Sequence, residues 1–271
     1  MTDDSAPSQP PELNTDVPHS ARVWNHWLGG KDNYPVDRDT GDRVAERYPD
    51  IVTIARAARR FLGRAVRHLV TEAGIRQFLD IGTGLPTADN THQIAQRVAP
   101  ESRIVYVDND PLVLAHARAL LTSSDEGKTA YLDADLRDPD AILTGAAKTL
   151  DLDQPVAITL IAILHHIDDY DEAREIVRRL TDPLVSGSYL VVSHSTNAIG
   201  GKASDEAVAR YNQFGRPPVT LRSVAQITGL FDGLELLPPG VVSTPRWRPE
   251  VSAVDGEPAE IDQFCGVARK P

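Results

Sequence analysis

A chain of 271 residues that is 41% hydrophobic and 25% charged can bury one large core or two small ones, and its net charge of −11 argues against a general nucleic-acid binder. A single cysteine, Cys265, excludes an intrachain disulfide and suits a reducing cytoplasm. The N-terminus is acidic and polar rather than signal-like, and no apolar run approaches the roughly 20 residues of a membrane span, so the expectation is a soluble cytoplasmic protein.

Residues 1–18, rich in Pro, Ser, Asp and Thr, read as a flexible tail. Residues 19–75 read as a helical cap. A helix over 20–28 carries Trp24 and Trp27 and stops at Gly29-Gly30, and a polar loop follows with Lys31, Asn33 and Tyr34. One or two helices fill 39–73, broken near Tyr48-Pro49 because proline cannot continue a helix interior. The second runs through Ala58, Phe61, Leu62, Ala65 and Leu69 at helical spacing and stops at Gly74. Its arginines, Arg56, Arg59, Arg60, Arg64 and Arg67, form a basic run that reads more readily as a solvated face than as an anion site.

From residue 76 to 271 strands and helices alternate. Strands are expected at 76–81, 103–108, 130–134, 156–164 and 188–193, with helices at about 88–98, from Pro111, at 138–149 and from Asp168-Asp169. Residues 196–219 lack a strong pattern and read as a candidate lid. A helix at 220–229 and strands at 234–243 and 263–269 complete the chain. The rhythm predicts an α/β fold: a mostly parallel seven-stranded sheet with helices on both faces and an N-terminal helical extension.

The chemistry concentrates at Phe78-Leu-Asp-Ile-Gly-Thr-Gly-Leu-Pro-Thr87. An apolar strand ends in Asp80 and turns at Gly82-Thr83-Gly84, as nucleotide-type sites do beyond the carboxyl ends of strands. A dinucleotide loop would place a third glycine where Thr87 stands and backbone N–H donors where Pro86 has none. S-adenosylmethionine, which has no phosphate, loses little by that. Asp108 then suits the ribose hydroxyls, and Asp135 with Leu136 suits the adenine amino group and ring. An N-cap role for Asp135 stays open. These residues favour S-adenosylmethionine over a nicotinamide cofactor.

Ser20-Ala-Arg-Val-Trp-Asn-His-Trp-Leu-Gly-Gly-Lys-Asp-Asn-Tyr34, the loop above, Val105-Tyr-Val-Asp-Asn-Asp-Pro111, Trp247-Arg-Pro249 and Gly266-Val-Ala-Arg-Lys-Pro271 together resemble the actinobacterial S-adenosyl methyltransferase family, within the class I, Rossmann-like methyltransferases. The resemblance implies S-adenosylmethionine as cofactor, held by Asp80, Gly82, Thr83, Gly84, Asp108, Asn109, Asp135 and Leu136, with Ala162 beneath the methionine portion. It implies no acceptor. The family's Asn-Arg pair before the first strand reads Ala58-Arg59 here.

For the acceptor half, His165 or His166 is the candidate general base, with His165 placed first; a structural corner is the competing reading. Arg22, Asn25, Lys31, Asn33 and Tyr34 are expected to close the pocket, with Arg22 or Lys31 pairing with the cofactor carboxylate. No metal site is expected, since the histidines are scattered. The partner expected is a small-molecule methyl acceptor with oxygen or nitrogen as the acceptor atom, not nucleic acid or a membrane. A cofactor-binding protein without transferase activity, acting as a sensor or partner protein, stays open, as does an NAD(P)-dependent reductase.

Overall fold

A computed structural model describes residues 15–86, 89–113, 115, 123–250 and 256–271. Most of the tail predicted at 1–18, and Thr87 of the cofactor loop, lie outside the described residues. Three helices come first: α1 (Ser20–Trp27), α2 (Pro35–Arg47) and α3 (Asp50–Thr71). Pro35 opens α2, where a missing N–H costs nothing, and the Asp37 carboxylate accepts the Tyr34 N–H at 2.9 Å. In α3 the stripe Ala58, Phe61, Leu62, Ala65 and Leu69 is buried, and the chain leaves the helix through Gly74 at φ +69°.

The sheet comprises β1 (Gln77–Ile81), β2 (Arg103–Asp108), β3 (Lys128–Asp133), β4 (Ala157–Ile161), β5 (Tyr189–Ser195), β6 (Glu235–Leu236), β7 (Val242–Ser243) and β8 (Gln263–Arg269). Its order is β3-β2-β1-β4-β5-β8-β6, with β7 also paired to β8. The first five strands of that order are parallel, and β8 runs antiparallel to β5. The chain winds outward from β1 to β3, then returns to β4 on the other side of β1. The switch between β1 and β4 leaves a crevice at their carboxyl ends, where α/β sheets hold ligands.

Alternation along β1 sends Phe78 into the core under α3 and α4 (Thr91–Val98), and Leu79 and Ile81 into the core under α5 (Pro139–Ala146) and α6 (Tyr170–Thr181). Asp80 therefore faces the α3/α4 side.

The strand expected at 156–164 stops at Ile161, where Ala162 turns to φ +52° and a 3-10 turn follows at Leu164–His166, and three further segments differ from the sequence expectation. The strand predicted over 234–243 is two short strands, because Pro238 and Pro239 have no N–H for a ladder and Gly240 turns at φ +85°. The patternless stretch 196–219 holds a helix, α7 (Lys202–Phe214), whose inner face is Ser204, Ala207, Val208 and Tyr211, at helical spacing but with little contrast in hydropathy. The helix predicted from 220 begins only at Val224 (α8, Val224–Gly229), because Ser223 and Gln226 cap it: the Ser223 hydroxyl accepts the Gln226 N–H at 3.2 Å, and the Gln226 side chain accepts the Ser223 N–H at 3.0 Å.

Candidate functional site

A cavity of about 280 Å³ opens at the β1/β4 switch. Its floor is the Gly82-Thr83-Gly84 turn, whose first two N–H groups donate to the Val107 carbonyl at 2.9 and 3.3 Å. Gly82 adopts φ +73°, and a Cβ there would lie 2.5 Å from Ile163 Cγ1, so the position demands glycine on two counts. Ala162, at φ +52°, lies in the left-handed region that non-glycine residues seldom occupy; its N–H donates to the Ser193 carbonyl at 3.1 Å.

Asp80 is buried, and its two oxygens accept from the Thr91 and Thr159 hydroxyls at 2.6 and 2.7 Å. Burial raises its pKa above the usual carboxylate range, against those two hydrogen bonds and the charge of Arg59. Arg59 is half-buried in the cavity wall and donates to Asn90 Oδ1 at 3.0 Å. Arg56, Arg60 and Arg67 do face solvent, but Arg64 turns in to donate to the Trp247 and Thr244 carbonyls at 2.9 and 2.6 Å. The run is thus solvated only on one side, and Arg59 is a site residue that the solvated-face reading missed.

Asp108 accepts the Gly84 N–H and the Asp110 N–H, each at 2.9 Å, and burial raises its pKa. Asn109 Nδ2 donates to Asp135 Oδ2 at 3.3 Å, and Asp135 Oδ1 accepts the Arg137 N–H at 2.8 Å. Asp138, not Asp135, caps α5, accepting the Ala141 N–H at 3.1 Å. Asp80, Gly82, Thr83, Gly84, Asp108, Asn109, Asp135, Leu136 and Ala162 all line the one cavity.

Other predicted residues stand elsewhere. Arg22, Asn33, Tyr34 and Lys31 do not line this cavity. Arg22 is buried with its Nε 3.2 Å from Asp37 Oδ1, donates to the Val17 carbonyl, and sits 5.3 Å above the Tyr34 ring. Its carboxylate partner is internal because α2 supplies one first. Asn33 Nδ2 donates to Asn25 Oδ1 and the Gly30 carbonyl at 2.8 and 3.0 Å, which ties the loop to α1. Tyr34 packs against Leu85, Leu112 and Val113, and Lys31 is exposed. From the same segment His19, Trp24 and Asn25 do reach the cavity. The buried Asn25 Nδ2 there has no partner, whereas His19 Nδ1 pairs with Asp110 at 2.9 Å.

His165 is likewise outside this cavity; its neighbour His166 lines it. The short 3-10 turn at Leu164–His166 parts the two rings, which meet edge to face at 4.3 Å. His166 Nδ1 lies 2.8 Å from the Pro218 carbonyl, which can only accept, so the proton is on Nδ1 and Nε2 carries a lone pair. Burial pushes the His166 pKa down to about 4.

Among the described residues no group of three or more acidic, His or Cys side chains is arranged to hold a metal, and no helix is long and apolar enough to cross a membrane. The cavity does suit an adenosyl amino acid. Asp108 and Asp135 offer carboxylate acceptors suited to hydroxyls and an amine, Leu136 offers an apolar wall, and Arg59 with the orphaned Asn25 donor offers groups suited to a carboxylate. A glycine turn without a pyrophosphate cradle, under a reversed strand order, defines a class I S-adenosylmethionine-binding α/β protein.

The chain belongs to the S-adenosyl methyltransferase family, whose sequence pattern matches residues 6–271. S-adenosylmethionine is accordingly its cofactor. Two solved structures are similar along almost their whole length. A DUF574 family protein from Streptomyces avermitilis is 48% identical, with 95% of this chain and 99% of that chain covered and a TM-score of 0.90. A candidate methyltransferase from Thermobifida fusca is 38% identical, with 96% and 98% covered and a TM-score of 0.88. An O-methyltransferase family protein from Burkholderia thailandensis is 16% identical, covers 86% of this chain and 60% of that chain at a TM-score of 0.51, and shows the fold alone. No curated protein matches the chain.

Proposed function

We propose that the protein transfers the methyl group of S-adenosylmethionine to an oxygen or nitrogen atom of a small molecule. The observation that carries this reading is His166, a neutral ring in the cavity wall with its proton held on Nδ1 by Pro218. S-adenosylmethionine, when bound, supplies a methyl group on a sulfonium centre, open to attack by a lone pair. Asp108 and Asp135 hold the adenosine end by accepting hydrogen bonds. Arg59 holds the carboxylate of the amino-acid end. Asp80 orders the site through its two threonines rather than as a free base.

His166 Nε2 is placed to take the proton that the acceptor O–H or N–H gives up; the acceptor lone pair would form the bond to the methyl carbon as the carbon–sulfur bond breaks, with S-adenosylhomocysteine as the leaving group. Alignment, not acid–base power alone, does the rest, and the strained Ala162-Ile163 corner sets that wall rigidly. Trp24 and Leu28 of the cap and Pro217 wall the cavity, which supports a small acceptor over a macromolecule.

The test incubates the protein and extract with methyl-labelled S-adenosylmethionine. Label is expected in the acid-soluble, small-molecule fraction, and His166→Gln should reduce transfer on the order of 10²-fold or more with S-adenosylhomocysteine affinity unchanged. Tight binding of S-adenosylhomocysteine without any transfer would favour a sensor instead.

A further inference from the structure

Beside the cofactor cavity lies a second, smaller chamber of about 60 Å³, between α1–α3, α7 and the end of β5. Trp24 and His166 line both spaces. Trp27, Val44, Ile54 and Tyr211 make the new chamber largely apolar, and His165 and Ser195 form its polar end.

Several of the polar groups there are engaged within the protein. Asp262 accepts the N–H groups of Ile199 and Gly200 at 2.7 and 2.9 Å and the Ser204 hydroxyl. The Ser195 hydroxyl donates to Gln263 Oε1 at 3.1 Å. Its oxygen is then free to accept from His165 Nδ1, 3.0 Å away, so the His165 proton is on Nδ1. His165 is 2% exposed, and its Nε2 has no hydrogen-bond partner. A buried acceptor without a donor is costly, and a ligand that brings one relieves the cost.

We propose that this chamber receives the body of the methyl acceptor, a compact uncharged ring or short chain bearing an N–H or O–H that donates to His165 Nε2, while the reacting atom stays on the His166 side. This rests on the transferase reading above. A carboxylate is disfavoured, since Asp262 stands in the chamber wall and the buried Arg222 behind His165 is already engaged by the Leu164 and Ile167 carbonyls. A cation is disfavoured because the Asp262 carboxylate is already engaged by three donors of its own chain. His165 is thereby a specificity residue, not the base.

Pyrrole and furan test this, being nearly equal in size but differing in the N–H. Each is titrated by ligand-observed NMR into protein saturated with S-adenosylhomocysteine. Pyrrole should bind about tenfold or more tightly than furan, in line with the cost of an unmet buried acceptor. His165→Phe should abolish the preference. Ala207→Phe, which fills the chamber from α7, should abolish binding of both, and neither variant should change S-adenosylhomocysteine affinity. Equal binding of furan and pyrrole to the wild type, no binding of pyrrole, or undiminished pyrrole binding to Ala207→Phe would overturn the proposal. Failure of S-adenosylhomocysteine to bind the wild type would instead overturn the transferase reading.

Discussion

Replacing Gly82 by alanine perturbs the cofactor loop at the point where backbone and packing constraints coincide. At φ +73° an L side chain costs about 1–2 kcal/mol. The new Cβ would stand 2.5, 2.7 and 2.8 Å from three Ile163 side-chain carbons, and overpacking of that kind adds about 1–3 kcal/mol. The expected destabilisation is therefore about 2–5 kcal/mol. Ile163 also lines the cavity, so any relief must come from a wall the cofactor needs. Urea denaturation reads the stability, and calorimetric titration with S-adenosylhomocysteine should show affinity reduced at least about tenfold, about 1.4 kcal/mol. Adding Ile163→Ala removes two of the three crowding carbons. The double variant should be less destabilised than the sum of the singles by at least about 1 kcal/mol. A Gly82→Ala protein with native stability and affinity, or strict additivity with Ile163→Ala, would refute the reasoning.

Asp37→Ala should cost about 3–5 kcal/mol, because it removes the carboxylate paired with the buried Arg22 guanidinium; a loss below about 1 kcal/mol in thermal or urea unfolding would contradict the internal pairing. Arg59→Met should weaken S-adenosylhomocysteine binding about tenfold or more while leaving 5′-methylthioadenosine, which lacks the carboxylate, unaffected; equal losses in calorimetry would remove the carboxylate role. His92 and His194 are buried and neutral, with pKa values pushed by burial down to about 4 and about 3. Both lie below the ordinary value of about 6.5, so the unfolded chain binds more protons between. These groups contribute stability that is full above about pH 6.5 and is lost as pH falls toward 4. Asp80 and Asp108, with raised pKa values, act in the opposite sense, so the measurement is a difference. The unfolding free energy of His92→Phe should fall less than that of the wild type between pH 7.5 and 4.5; parallel curves would contradict the assignment.

The cofactor half was legible because its signals are local. A strand ending in a carboxylate, a glycine turn and carboxylates after the next two strands need only the period of two and the turn residues to be placed. Where the reading failed, the deciding partner was remote. Arg59 is drawn inward by Asn90 and Asp80 on other elements, which spacing along α3 cannot reveal. Arg22 was expected to reach a ligand carboxylate, but Asp37 lies within the same cap. His165 and His166 are adjacent, and which ring lines the β1/β4 cavity follows from a 3-10 turn and a carbonyl 52 residues away. The split of the 234–243 strand was the exception, since Pro238-Pro239-Gly240 announced it in the sequence.

The central claim, that the β1/β4 cavity holds S-adenosylmethionine through this set of residues, is tested most directly by a crystal structure with S-adenosylhomocysteine. The account predicts ribose hydroxyls on Asp108, the adenine amino group on Asp135 beside Leu136, and the carboxylate facing Arg59. Ligand bound away from this cavity, or bound there with its carboxylate turned from Arg59 and its ribose from Asp108, would contradict it.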